Sequence, residues 1–235
     1  MTRRTSGFTI IEVTLFLAIT GALTAGLLGA VSVSVQRQQY KDAVQSFAGY
    51  MRDEYARVVS VENDRDNGAE CPVPGSGGGI TARGQSNCVI VGRYIVAQNK
   101  GVSYSSYPVY ASPVATSGSS DWNYSYDDNQ SSTYEITWNA RTRLASMADD
   151  TPFSFVIYRN PDTGRISIQS DTSEYGSSQI GDLIKNTGPD GTQSREVCVY
   201  DTGWFTKERQ SVYLAEQAGS SNAINVSDAS EGCND

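Results

Sequence analysis

The sequence predicts an α+β protein in which one long amino-terminal α-helix packs on an antiparallel β-sheet head. Three observations carry that prediction. Eighteen of the 28 residues from 8 to 35 are apolar, against 38% for the whole chain. Beyond them, Tyr40, Val44, Phe47, Met51, Tyr55 and Val58 recur at spacings of four, three, four, four and three, one stripe of a 3.6-residue helix. The remainder alternates short runs rich in Val, Ile and Tyr with polar stretches rich in Gly and Ser, the pattern of strands and loops.

The apolar residues are unevenly placed. Five of the eight leucines fall within residues 8–35, whereas all 14 tyrosines follow that segment. Such a division describes two solvents, lipid for the first part and water for the rest. Twenty-eight helical residues extend about 42 Å, enough to cross a hydrocarbon core. Arg3 and Arg4 precede the run, so the amino end stays cytoplasmic and the chain beyond Arg37 lies outside. Glu12 is the one charged residue between 8 and 35. An acid at mid-helix costs about 2.5–3.5 kcal/mol on insertion scales. Near the helix start that cost falls, because the interface and the positive end of the helix dipole are close.

Gly7 immediately before the apolar run, with Glu12 five residues after it in Gly-Phe-Thr-Ile-Ile-Glu, resembles the class III signal of type IV prepilins. The resemblance implies cleavage between Gly7 and Phe8 by a membrane-embedded prepilin peptidase, followed by methylation of the Phe8 amine. Glu12 then matches the glutamate characteristic of the mature pilin helix. Its physical use is plain: a buried amine and a buried carboxylate compensate each other only when neighbouring helices pack in one axial register. The organisation so implied is a leader (1–7), a transmembrane and filament-core helix (8–35), an amphipathic helix continuing into the head (36–62), and a disulfide-stabilised β-rich head (63–235). The implied partners are copies of itself or other pilins in a helical filament, the prepilin peptidase and the inner-membrane assembly platform, with host-cell or surface ligands beyond them. The implied location is the cell membrane before assembly and an extracellular pilus after it. Type II secretion pseudopilins and minor, tip-located pilins share the signal. One departure stands out: many type IV pilins carry a proline inside this helix, and here no proline precedes Pro72. Gly21, Gly26 and Gly29 are present instead, each weakening the helix by about 1 kcal/mol relative to Ala.

The competing reading from another class is a signal peptide or uncleaved signal anchor on an extracellular binding protein or enzyme. Ser32-Val33-Ser34 offers a weak cleavage site, but the apolar run is about twice the length of a signal-peptide core and contains Glu12. Enzymatic chemistry finds little support. The chain has no histidine, so catalytic triads, HExxH sites and His-ligated metals are excluded. No cofactor or metal is expected, and a net charge of -8 with four lysines disfavours specific nucleic-acid binding.

The long helix should run without a break to about residue 60, with Arg37, Lys41, Asp42, Arg52, Asp53, Glu54 and Arg57 on its solvated face. Asn63-Asp64-Arg65-Asp66-Asn67-Gly68 should end it. Strands are expected at 88–97, 102–110, 134–138, 153–158, 165–169, 196–200, 211–214 and 223–226, with surface loops at 72–86, 112–132 and 170–194. Asn160-Pro161-Asp162-Thr163-Gly164 should close a hairpin. Cys71, Cys88, Cys198 and Cys233 make an even count, read as disulfides outside the cell, and four cysteines allow three connectivities. The favoured pairing is Cys71–Cys88, pinning the glycine-rich loop, and Cys198–Cys233, which resembles the disulfide-bounded region near the end of many type IV pilins. Gly75-Ser76-Gly77-Gly78-Gly79 lacks the Gly-Lys-Ser/Thr of a phosphate loop. Neither the acids around residues 121–128 nor Asp182, Asp190 and Asp201 show a calcium-loop spacing.

Overall fold

A single helix, α1 (Ile10–Ser60), runs 51 residues without interruption. The computed structural model describes residues 7, 9–60, 70–74, 88–114, 121–148, 151–185, 195–201, 209–215 and 221–233. Arg3, Arg4, Phe8, the 63–68 turn, Gly75 to Gly79 and Asp190 lie outside the described residues. Among the described residues the amino half of α1 packs on no other element, and its apolar side chains, from Ile10 to Val35, are largely exposed. It is the one helix among the described residues long and apolar enough to cross a membrane. The carboxyl half instead buries Tyr40, Ala43, Val44, Phe47, Ala48, Met51, Glu54, Tyr55 and Val58. The expected stripe is therefore the docking face, widened by two alanines and one acid.

Among the described residues ten strands form two antiparallel sheets. The first contains β1 (Val89–Gln98), β2 (Ser103–Pro113), β3 (Trp122–Tyr126), β4 (Ser132–Glu135), β6 (Ser154–Arg159) and β7 (Ile166–Asp171), in the order β3-β2-β1-β6-β7 with β4 also on β2. The second contains β5 (Arg141–Leu144), β8 (Glu196–Tyr200), β9 (Gln210–Leu214) and β10 (Ile224–Asp228), in the order β10-β9-β8-β5. The α+β class is as expected, but the head has two sheets rather than one. Helix α1 contributes to a core with Ile95, Tyr104, Phe155, Ile157 and Ile168 from the first sheet and Val197, Val199, Val212, Leu214 and Ile224 from the second. On the far side of the first sheet a second core gathers Tyr94, Val109, Tyr126 and Val156 beneath α2 (Ile180–Lys185). The β1–β2 register shifts between Ile90 and Gly92, where a Cβ would come within 2.4 Å of the Ile157 carbonyl oxygen. Only glycine permits that approach of β1 to β6.

Several expectations are corrected. The span 112–132 contains β3, whose aromatics at 122, 124 and 126 pack onto the first sheet, and 170–194 contains α2. The strand expected at 134–138 is displaced to Ser132–Glu135, because a turn follows at Trp138 and Asn139. Strand β5 was not expected. Glu54 does not belong to the solvated face: it is 3% exposed. The 160–164 hairpin loop is present, with Asn160 N–H on the Arg165 oxygen at 2.8 Å and Gly164 at φ +70.

Cys71 is bonded to Cys88 and Cys198 to Cys233, across separations of 17 and 35 residues. By loop-closure entropy these contribute about 3 and 4 kcal/mol.

Candidate functional site

The amino-terminal half of α1 is the strongest candidate, because so much of its apolar surface is open. Thr9 caps the helix: the Glu12 N–H donates to Thr9 Oγ1 at 3.3 Å. Thr9-Ile10-Ile11-Glu12 is thus the Thr-x-x-Glu pattern of a capping box, a local signal that Glu12 by itself does not carry. Glu12 stands in the first helical turn, exposed, where the helix dipole favours a negative charge. Gly7 is exposed, with open space where a Cβ would point. Phe8, its expected partner at the cleavage point, lies outside the described residues.

The polar side chains further along are satisfied within the helix itself. The Thr14 hydroxyl donates to the Ile11 oxygen at 3.0 Å, Thr20 to Phe16 at 2.8 Å and Thr24 to Thr20 at 2.7 Å. Each removes a hydroxyl that would otherwise be costly in hydrocarbon. Gly21, Gly26 and Gly29 have nothing within 4 Å of a built Cβ. This surface is chemically suited to lipid or to other helices, and unsuited to water.

What holds α1 to the head also fixes how the apolar half is presented. Glu54 accepts from Arg93 Nε at 2.9 Å and from the Ser106 hydroxyl at 2.7 Å, and Arg93 Nη2 reaches Ser132 at 3.2 Å. Both members of this ion pair are buried, so its partners discriminate one rotation of α1 against others. Tyr40 wedges into the second sheet: its hydroxyl donates to the Val199 oxygen at 3.0 Å and accepts from Gln210 N–H at 2.5 Å. Arg52 donates to the Ile224 oxygen from Nε at 3.2 Å and from Nη2 at 3.0 Å. Tyr50 stacks on Tyr134 with ring centroids 4.3 Å apart, and Phe47 meets Tyr104 at 5.1 Å. Burial pushes the phenols of Tyr50 and Tyr104 far above their ordinary pKa. On the opposite side of the first sheet, burial likewise raises Tyr124, Tyr126 and Tyr175 to about 12. These tyrosines are packing groups at physiological pH, not acids or bases.

The carboxy-terminal segment is tied down around Glu196. Its carboxylate accepts from Ser230 N–H at 2.9 Å and from the Ser230 hydroxyl, beside the Cys198–Cys233 bond. Burial alone would raise its pKa, but the hydrogen bonds from Ser211 and Ser230 outweigh it and hold the carboxyl below its usual value. Tyr200 lies under two guanidinium groups, with Arg143 at 4.7 Å and Arg209 at 5.6 Å from its ring. Among the described residues no group of three or more Asp, Glu or Cys side chains is arranged to hold a metal ion. Asp182 sits on α2 and Asp201 follows β8, in separate parts of the head. No protein-family model, curated protein or solved structure matches the chain.

Proposed function

We propose that this chain is a non-enzymatic structural subunit of a type IV pilus or pilus-like surface filament. The observation that carries the reading is the contrast along α1: a fully uncovered apolar half bearing Glu12 in its first turn, continuous with a half locked into a disulfide-bonded head. In this reading residues 8–35 hold the subunit in the membrane until lateral packing of helices replaces lipid with like helices. Glu12 pairs with the new Phe8 amine of a neighbour and so selects the axial register. The head forms the filament surface, where adhesion or motility is served. Prepilin peptidase and an inner-membrane assembly platform are the partners that the mechanism requires.

The test is Glu12→Ala in cells, with filaments sheared from the surface and probed for the head. Wild-type chain should be abundant in the sheared fraction. The variant should insert in the membrane normally yet be strongly depleted from filaments. Absence of the wild-type chain from every sheared filament would overturn the reading, and normal assembly of the variant would overturn the role of Glu12.

A further inference from the structure

Hydrogen bonds and strand register fix which end of the head faces the apolar half of α1. Tyr40 bonds Val199 and Gln210, so the end of β8 and the start of β9 are level with it. Arg52 bonds Ile224, which pairs with Leu214 at the other end of β9. Strand β8 therefore runs toward the apolar half, and β5, with Arg141 opposite Tyr200, begins at that near end. In the first sheet, Ser106 meets Glu54 whereas Tyr104 meets Phe47, earlier on the helix. The turn joining β1 to β2 consequently lies at the near end too.

Among the described residues two turns thus stand at the base of the head, at 99–101 and 137–140. They are joined, since the Thr142 hydroxyl donates to the Gly101 oxygen at 2.9 Å and Ile136 N–H to the Val102 oxygen at 2.9 Å. Four of the five non-glycine residues with positive φ among the described residues are here: Asn99, Lys100, Trp138 and Asn139. Lys100, at φ +59, and Trp138, at φ +60, are the unusual ones, because tight turns of this conformation ordinarily place Asn, Asp or Gly there. Trp138 is 54% exposed and belongs to none of the apolar cores.

The level of Trp138 can be worked out. Thr142 pairs with Val199 and so stands level with Tyr40. The two residues back to Ala140 descend about 7 Å toward the apolar half at strand rise, and Trp138 stands at the tip of the turn beyond them. From Tyr40 to Val35 the helix descends about 7.5 Å. Trp138 therefore reaches the end of the apolar run.

We propose that the base of the head docks on the outer surface of the membrane that α1 crosses, with Trp138 seated among the lipid headgroups. Tryptophan favours that interface, where its ring meets hydrocarbon and its N–H meets the headgroups. The docking rests on the proposed reading of α1 as a membrane span with the head outside. It holds the unassembled head in one pose above the bilayer.

The full chain should be reconstituted in phosphatidylcholine/phosphatidylglycerol vesicles carrying lipids brominated near the headgroup, and tryptophan quenching measured. In a Trp204→Phe background, so that Trp122 and Trp138 are the two indoles left, Trp138→Phe should reduce the quenching about twofold or more, because a headgroup-level indole is lost. Trp122→Phe, at the far end of the first sheet, should leave it unchanged. Equal quenching with and without Trp138→Phe in that background, with the chain still resistant to carbonate extraction, overturns the docking and leaves the membrane span standing. Shielding of Trp138 from aqueous acrylamide without bromolipid quenching, lost on dilution into more lipid, assigns it to a second copy and also overturns the docking. Extraction of the chain by carbonate overturns the membrane span and the docking together.

Discussion

Replacing Arg93 by Met tests whether one buried ion pair sets the orientation of α1 on the head. Arg93 and Glu54 have side-chain exposures of 8% and 3%, and their N–O distance is 2.9 Å. In the variant the Arg93 hydrogen bonds to Glu54 and Ser132 are lost, leaving Glu54 buried with the Ser106 hydroxyl at 2.7 Å. Breaking a buried pair on one side costs about 3–5 kcal/mol, because the remaining charge is uncompensated. Replacing both partners with apolar residues of similar volume removes the stranded charge, so Glu54→Leu combined with Arg93→Met should recover most of the loss. The assay is denaturant unfolding of the full chain in detergent, followed by near-ultraviolet circular dichroism, whose signal reports the packed tyrosines. A single-variant loss below about 1 kcal/mol would refute the reasoning, since that is the range of a solvated pair. A double variant as unstable as the sum of the singles would refute it equally.

Other outcomes follow from the same geometry. Gly101→Ala should destabilise the head by about 2–4 kcal/mol, since φ is +76 and the new Cβ would lie 2.0 Å from the Thr142 carbonyl oxygen; a change in melting temperature reads it. Tyr40→Phe should cost about 1–2 kcal/mol by unpairing Gln210 N–H and the Val199 oxygen, detectable as faster amide exchange at the ends of β8 and β9. The carboxyl of Glu196 is held below its usual value, so its ionised form stabilises the folded chain above the unfolded pKa, near 4.3, and that contribution fades as pH falls through the lower folded value. Amide protection over residues 228–233 should therefore drop in acid, and Glu196→Gln should flatten that dependence.

Where local pattern and tertiary packing agree, the sequence was readable. The stripe from Tyr40 to Val58 reports its docking face because every third or fourth residue meets the same core. The 160–164 hairpin was legible because Asn160 and Gly164 perform local backbone tasks, which need no distant partner. Strand β3 was hidden by its Asp- and Ser-rich flanks, although Trp122, Tyr124 and Tyr126 alternate at the period of a strand. Strand β5 reads Arg-Thr-Arg-Leu and has no such pattern; it is a strand because β8 supplies its ladder. Helix α2 is six residues long, too short for periodicity to stand out, and is stabilised by burying Ile180, Leu183 and Ile184. Glu54 was misplaced because its partner lies 39 residues away on β1, and no local signal links them. At the amino terminus the signal is wholly local: Thr9 and Glu12 form one Thr-x-x-Glu motif, the cap and the acid together.

The central claim is that residues 8–35 are released for filament packing by a cut after Gly7. Mass spectrometry of the amino terminus of the chain purified from its own cells tests it most directly. The predicted result is a chain that begins at Phe8 and carries one added methyl group. A chain that begins at Met1, or at a residue beyond Ser32, would contradict the account.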